Sequence, residues 1–567
     1  MNSYLEGLSP EQRTMERNQD RDAVPGLYVS SGNRGIYDPG SSSSRSAAIL
    51  GSVVVLVLLI VCANVANLLL SRATARHKEI SVRMAMGATR MRLVQQLLTE
   101  GVLLSVIGGM LGLLVAYWGR QSLPQGQTAP FDWRVFAFVA LLSIATGVIF
   151  SLIPALRATR LDVASSLKEN SRSVAGSKTR LSKALLVLQV AVSLVLLIGA
   201  GLFLNTLRNL RNAEVGFNPS NILLFRVDPR LNGYEDERMA ALYQQMQDTL
   251  QAIPGVRSVS LTRTAFLSGS TSTSGVYAQG RERIEDVSNS AHMMTVAPEF
   301  FGTLEIPLLA GRIFDDRDSQ DASMLAVIND AAAKHFFNGE NPLGLRFGFQ
   351  RENDGDIAVI GVVRDVKYSN VRDPEPPTVY LPYLQRTFSS MTFELKTASD
   401  PQTMVPTVRE TGRGIDPNMP LMNVSTQAEQ IERRFSQERF FALSYSLFGG
   451  LALVLASIGL FGLASYNVVR RTNEIGVRMA LGAEAGDVMR MVLGESLILV
   501  AIGVAVGLAT ALAAGRLISS LLFGLAPTDG YTVVAATLVM ILVSAFAGYL
   551  PARRASRVDP MVALQYE

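Results

Sequence analysis

Seven long apolar runs limit what this chain can become more than any other feature. They cover approximately residues 47–70, 101–118, 135–156, 184–204, 441–467, 496–516 and 531–550. Asp, Glu, Lys and Arg stand near the ends of the runs and never in their bodies. A bilayer-crossing helix needs about 20 such residues, and a buried soluble helix rarely reaches that length without a charge. The predicted fold class is therefore an α-helical integral membrane protein with seven spans. Nearly half of the residues, 48%, are apolar, which excludes a disordered chain.

The flanks give the orientation. Positive charge clusters between runs one and two (Arg72, Arg76, Lys78, Arg83, Arg90, Arg92), between runs three and four, after run five, and after run seven at Arg553, Arg554 and Arg557. Loops 119–134 and 517–530 carry little. Basic loops stay in the cytoplasm, so the C-terminus is predicted inside and residues 205–440 outside. The same distribution accounts for the net charge of +4 and argues against a nucleic-acid partner.

Part of the sequence is written twice. RHKEISVRMAMGAT (76–89) returns as RTNEIGVRMALGAE (471–484), with Glu79 matching Glu474, Arg83 matching Arg478 and Gly87 matching Gly482. SLIPALRATRLDVASSL (151–167) returns as AGYLPARRASRVDPMVAL (547–564). Runs one to three and five to seven thus form two triplets of like topology, related by an axis along the membrane normal. Run four, 184–204, links the first triplet to the external segment. Residues 1–46 are polar and read as the remnant of a preceding external domain.

The external segment mixes two periods. Ile222–Val227 and Val256–Thr262 are strand-like and flank a helix with Met239, Leu242, Tyr243, Met246 and Leu250 on one face. Met391, Phe393 and Leu395 alternate with Thr392, Glu394 and Lys396, which predicts a half-buried strand, followed by a helix near 401–413 and a strand near 421–425. Two strand–helix–strand units therefore bracket a β-rich insertion at about 270–388. Residues 427–440 are predicted to run as one continuous helix into span five.

No catalytic or metal-binding set emerges. There is no GxxxxGK[ST] loop, no HExxH and no GxSxG. One cysteine, Cys62, and three scattered histidines give no ligand spacing. The paired segments carry the signal instead. Glu79 and Arg83, like Glu474 and Arg478, stand four apart on one helix face. Such a pair contributes only about 0.3–0.5 kcal/mol to a helix, so its duplication points to docking rather than stability. Ile80 and Ile475 are read as seating residues, and Gly87 and Gly482 as helix ends. Gly108 and Gly112 in span two match Gly503 and Gly507 in span six. Small residues four apart let helices approach closely. The spans lack the intramembrane charges of a solute pathway, so the membrane part reads as a mechanical coupler.

These residues carry a resemblance. VCANVANLLLSRATARHKEISVRMAMGATRMRLVQQLLTEG (61–101) and NEIGVRMALGAEAGDVMRMVLGES (473–496) resemble the membrane domain of MacB/FtsX-type ABC transporter permeases. FFGTLEIPLLAGRIF (300–314), VINDAAAKHFF (327–337) and VIGVVRDVKY (359–368) are similar to the family's periplasmic core domain. The resemblance implies two FtsX-like three-helix repeats (47–160 and 441–567), a cytoplasmic linker (161–183), one linking span and an α/β MacB-like periplasmic domain (205–440), as in the duplicated orphan-permease branch. It implies a bacterial inner-membrane location and no cofactor. It also implies a separate cytoplasmic ABC ATPase that docks on Glu79, Ile80, Arg83, Gly87, Glu474, Ile475, Arg478 and Gly482. A periplasmic adaptor and work on peptide, macrolide, lipid or lipoprotein-type substrates belong to the same expectation. The alternative is an ATPase-free scaffold or receptor-like protein that keeps the fold.

Overall fold

The computed structural model of the chain describes residues 42–75, 86, 89–119, 133–159, 172–280, 289–315, 317–318, 323–385 and 388–557. Glu79, Ile80, Arg83 and Gly87 lie outside the described residues, as do most of residues 1–46 and residues 161–171 of the 161–183 linker. Two compact units divide at Leu59 and Ile60. The described part of the first is the opening of helix α1 (Ser42–Ala75).

Apolar composition makes the remaining long elements helical. They are α2 (Arg90–Gly119), α3 (Trp133–Thr159), α4 (Arg172–Arg211), α10 (Ser436–Arg470), α12 (Ala485–Ile518) and α13 (Gly530–Ala555). Among the described residues six helices are long and apolar enough to cross a membrane, namely α1, α2, α4, α10, α12 and α13. The described side chains of α3 contribute the shorter apolar stretch Phe136–Ile149, so six of the seven expected spans are identified.

The predicted linking span is more than a link. Helix α4 packs against α10, α12 and α13, and Leu186, Val190, Leu194, Ile198 and Leu202 form the buried spine of that bundle. Two glycines of α12 allow the close approach. A Cβ at Gly503 would lie 2.7 Å from Val190 Cβ, and one at Gly507 2.8 Å from the Ala191 carbonyl oxygen. Gly108 and Gly112 have nothing within 4 Å of the corresponding point. Helices α2 and α3 meet at Gly109 and Gly147 instead, where an added Cβ would lie 2.6 Å from Ser143 Oγ and from Ser105 Oγ respectively. The sequence spacing was the same in both copies; only the face turned to a neighbour differs.

The external segment forms one sheet with two interleaved β–α–β units at one end. These are β1 (Ile222–Val227), α5 (Asp236–Gln251) and β2 (Val256–Thr262), then β11 (Met391–Thr397), α8 (Pro401–Ile415) and β12 (Met422–Thr426). The order is β12-β1-β11-β2, with every neighbour antiparallel. Leu223, Phe225, Val227, Phe393 and Leu395 point into a core closed by the stripe Met239, Leu242, Tyr243, Met246 and Leu250 of α5. Phe225 stacks on its cross-strand partner Phe393 with centroids 5.3 Å apart. Between the two units come β3 (Thr273–Gly275), β4 (Tyr277–Ala278), β5 (Ser290–Val296), α6 (Phe300–Thr303), β6 (Leu308–Gly311), β7 (Leu325–Asn329), α7 (Asp330–Phe337), β8 (Arg346–Gly348), β9 (Ile357–Val363) and β10 (Thr378–Pro382). They continue the sheet from β2 and enclose a second core around Ile328, Phe347 and Val359.

Strand β11 departs from the half-buried expectation. It is central, and α6 packs over it and β2. Its polar residues Glu394 and Lys396 are therefore buried with the apolar ones. Lys396 Nζ pairs with Glu305 Oε1 at 2.9 Å, while both Glu394 carboxyl oxygens lack a hydrogen-bond partner. Burial pushes the Glu394 pKa up to about 8, so the side chain is neutral at pH 7.

Candidate functional site

Helix α10 ends at Arg470, and a short helix α11 (Thr472–Ala480) follows before α12. Three devices fix this elbow. The Glu484 side chain accepts from the backbone N–H of Asp487, whose carboxylate accepts from the Glu484 N–H in return, capping α12. Gly482 takes φ +99°, a left-handed conformation that glycine adopts without strain. Arg471 reaches from the elbow to Glu495 Oε1 on α12 at 2.6 Å.

On α11, Arg478 pairs with Glu474 at 2.7 Å, the i,i+4 contact that the spacing implies. Both are half exposed, so the pair adds little stability. Arg478 also donates to Met491 Sδ at 2.8 Å, which ties α11 to α12. Ile475 is 0% exposed and sits among Val468, Val488 and Ala555. It anchors the helix in its own chain and does not present itself to a partner. Burying Ile475 turns the opposite side outward. Val477 is 45% and Leu481 82% exposed there. In the first copy the residue matching Leu481 is Met86, and it is 75% exposed. Sequence reasoning passed over both, although a large apolar residue directly before the helix-ending glycine in each copy was a readable signal.

A second set of contacts fastens the α/β domain to the helices below it. The predicted continuous helix is interrupted. Helix α9 (Gln427–Arg434) stops at buried Phe435 (φ −92°, ψ 11°) before α10 begins. Side chains make the joint instead. Arg372, from the loop after β9, donates Nε to Glu438 Oε1 at 3.1 Å on α10. It also donates Nη2 to the Leu521 carbonyl at 2.9 Å in the α12–α13 loop. Arg211, in the last turn of α4, pairs with Glu432 of α9 at 2.8 Å. Within the helices beside this joint, Asn209 of α4 donates to the Phe523 and Gly524 carbonyls of the α12–α13 loop, and Asn205 of α4 to Thr532 of α13. Gln427 and Gln430 hold α9 against the Phe266 carbonyl.

Within the helices, Asn64 of α1 donates Nδ2 to the Leu455 carbonyl of α10 at 3.0 Å. A Cβ at Gly459 would come within 2.8 Å of both Asn64 Oδ1 and Gln189 Oε1, so these two amides converge on one turn of α10. Among the described residues no three His, Cys, Asp or Glu side chains are placed to hold a metal.

Residues 51–163 and 446–560 match the FtsX-like permease C-terminal family, and residues 184–411 match the MacB-like periplasmic core domain. Macrolide export ATP-binding/permease protein MacB 2 of Aeromonas hydrophila is 25% identical over 52% of this chain and 46% of its own length. The uncharacterized ABC transporter permease YknZ of Bacillus subtilis is 24% identical over 51% of this chain and 73% of its own. The crystal structure of the periplasmic region of MacB from Actinobacillus actinomycetemcomitans aligns with 40% of this chain and 97% of its own at 16% identity, with a TM-score of 0.28. The chain spans about half the length of the MacB relative.

Proposed function

From the premise that this chain belongs to the MacB/FtsX-type ABC transporter permeases, with two FtsX-like regions around a MacB-like periplasmic core domain, we propose that it is a mechanical transmitter. A separate cytoplasmic ATPase docks on the two elbows, and its movement reaches the periplasmic domain through the joint at Arg372 and Arg211. The observation that supports this reading most is the matched exposure of Met86 and Leu481 at equivalent positions of the two copies. An exposed apolar side chain on a helix held by its own buried anchor is a knob for a complementary pocket. Glu474, Arg478 and Gly482 orient the knob, Ile475 anchors it, and Glu79, Ile80, Arg83 and Gly87 would do the same in the first copy.

In this reading the elbows and the C-terminus are cytoplasmic, α3 completes a set of seven spans, and the inner membrane is bacterial. The substrates are of the peptide, macrolide, lipid or lipoprotein type, reached from the periplasm with or without an adaptor. ATP is hydrolysed on the partner chain.

The test is co-purification. Tagged full-length chain extracted from its host in mild detergent should bring down vanadate-sensitive ATPase activity. Met86→Asp together with Leu481→Asp should lower that activity about thirtyfold or more, since charging a central apolar anchor costs about 2 kcal/mol or more. Undiminished co-purification from a variant that still inserts in the membrane would remove the docking assignment.

A further inference from the structure

An open cleft of about 860 Å³ lies between the outer face of the β12-β1-β11 sheet and helix α9. Four arginines line it: Arg226 from β1, Arg263 after β2, and Arg433 and Arg434 from α9. Neutral donors fill the spaces between them, chiefly Ser268, Ser270, Ser272, Ser389 and Thr392. No carboxylate is among the lining residues, and among the described residues none is paired with any of the four guanidinium groups. Glu394 shares the sheet face of Thr392 but is buried and neutral at pH 7, so it does not cancel this charge.

Three of the four arginines are held in place by other means. Arg226 donates Nε to Ser390 Oγ. Arg434 donates Nε to the Leu267 carbonyl at 3.1 Å and lies flat on Gly269, where a Cβ would strike the guanidinium. Arg263 stacks 4.1 Å over the Phe388 ring. The bonds of Arg226 and Arg434 use Nε and leave their terminal N–H groups without a protein acceptor among the described residues. All four arginines are solvent-exposed and bring like charge to one concave surface, and such a cleft focuses its field on an anion that enters it.

We propose that this cleft binds a phosphate-bearing ligand, with Arg226, Arg263, Arg433 and Arg434 clamping the phosphate oxygens. Planar guanidinium forks match phosphate geometry, and the hydroxyl donors suit the remaining oxygens. The volume exceeds what one small anion needs and fits a headgroup. Location favours a membrane source: Arg434 is two residues from the start of α10, which enters the bilayer. The same chemistry would hold a soluble phosphate compound, and the experiment separates the two. The proposal is independent of ATPase docking.

The full-length chain in neutral detergent is titrated with two probes, inorganic pyrophosphate and monomeric dioctanoyl phosphatidylglycerol, by calorimetry. Saturable binding of at least one is expected, weakening at high salt. Binding of the lipid identifies a headgroup site, and binding of pyrophosphate alone identifies a free-anion site. Arg263→Gln with Arg433→Gln should weaken binding about tenfold or more. Ser389→Asp, which keeps all four arginines and adds a carboxylate, should weaken it similarly. Arg409→Gln, on α8 outside the cleft, should change nothing. Thermal unfolding identifies which variants are folded. The proposal fails if neither probe binds the unaltered chain, or if the folded cleft variants bind as tightly as it does.

Discussion

Glu394 is the residue whose placement has the largest local consequence. Its ordinary pKa of 4.5 is raised to about 8 by burial. Below pH 4.5 the carboxyl is protonated whether the chain is folded or not. Between about 4.5 and about 8 only the unfolded chain releases the proton, so the folded state loses stability as pH rises across that window. Glu394→Gln should remove this slope and raise the unfolding temperature at pH 8, read by a melting series across pH. A slope identical in both proteins would show that the carboxyl is solvated. The glycines make a second contrast at this scale. Gly507→Ala forces a methyl to within 2.8 Å of backbone at Ala191 and should cost about 1–3 kcal/mol by overpacking. Gly108→Ala meets nothing and should be neutral or slightly stabilising through helix propensity. Thermal stability in detergent distinguishes the two.

At the scale of elements, Arg372 is the piece that joins the α/β domain to both α10 and the α12–α13 loop. It and Glu438 are mostly buried, so removing one partner strands the other charge. Arg372→Ala should loosen the joint by about 1–3 kcal/mol and speed hydrogen exchange at 436–445, while the ATPase still co-purifies. Exchange unchanged from the unaltered chain would mean that the joint holds without it. None of these fasteners was legible in the sequence, because Arg372 meets Glu438 and Leu521 only after the chain has folded over long distances. Periodicity did reveal α5, β1, β2 and the long helices, whose apolar stripes repeat locally. It failed where a neighbour decides. The central position of β11 buries Glu394, and the turn of α11 hides Ile475 and exposes Leu481. The break at Phe435 also escaped, since nothing in QAEQIERRFSQERF lacks helix propensity.

At the scale of the whole molecule, the FtsX-like region occurs twice, while α4 joins the bundle of the second. The orientation proposed here is open to direct measurement. Cys62 is the single cysteine; in a Cys62→Ala background, Leu481→Cys should react with a membrane-impermeant maleimide only after cells are opened. Ser389→Cys should react from outside. The reverse pattern would invert the topology. One feature of the joint sets how motion can pass through such a molecule. Phe435 separates two helices yet is itself pinned in the interior. Under the proposed transmitter role it would be a fulcrum: a tilt of α10 would swing α9, and twist about the axis would be lost at the break.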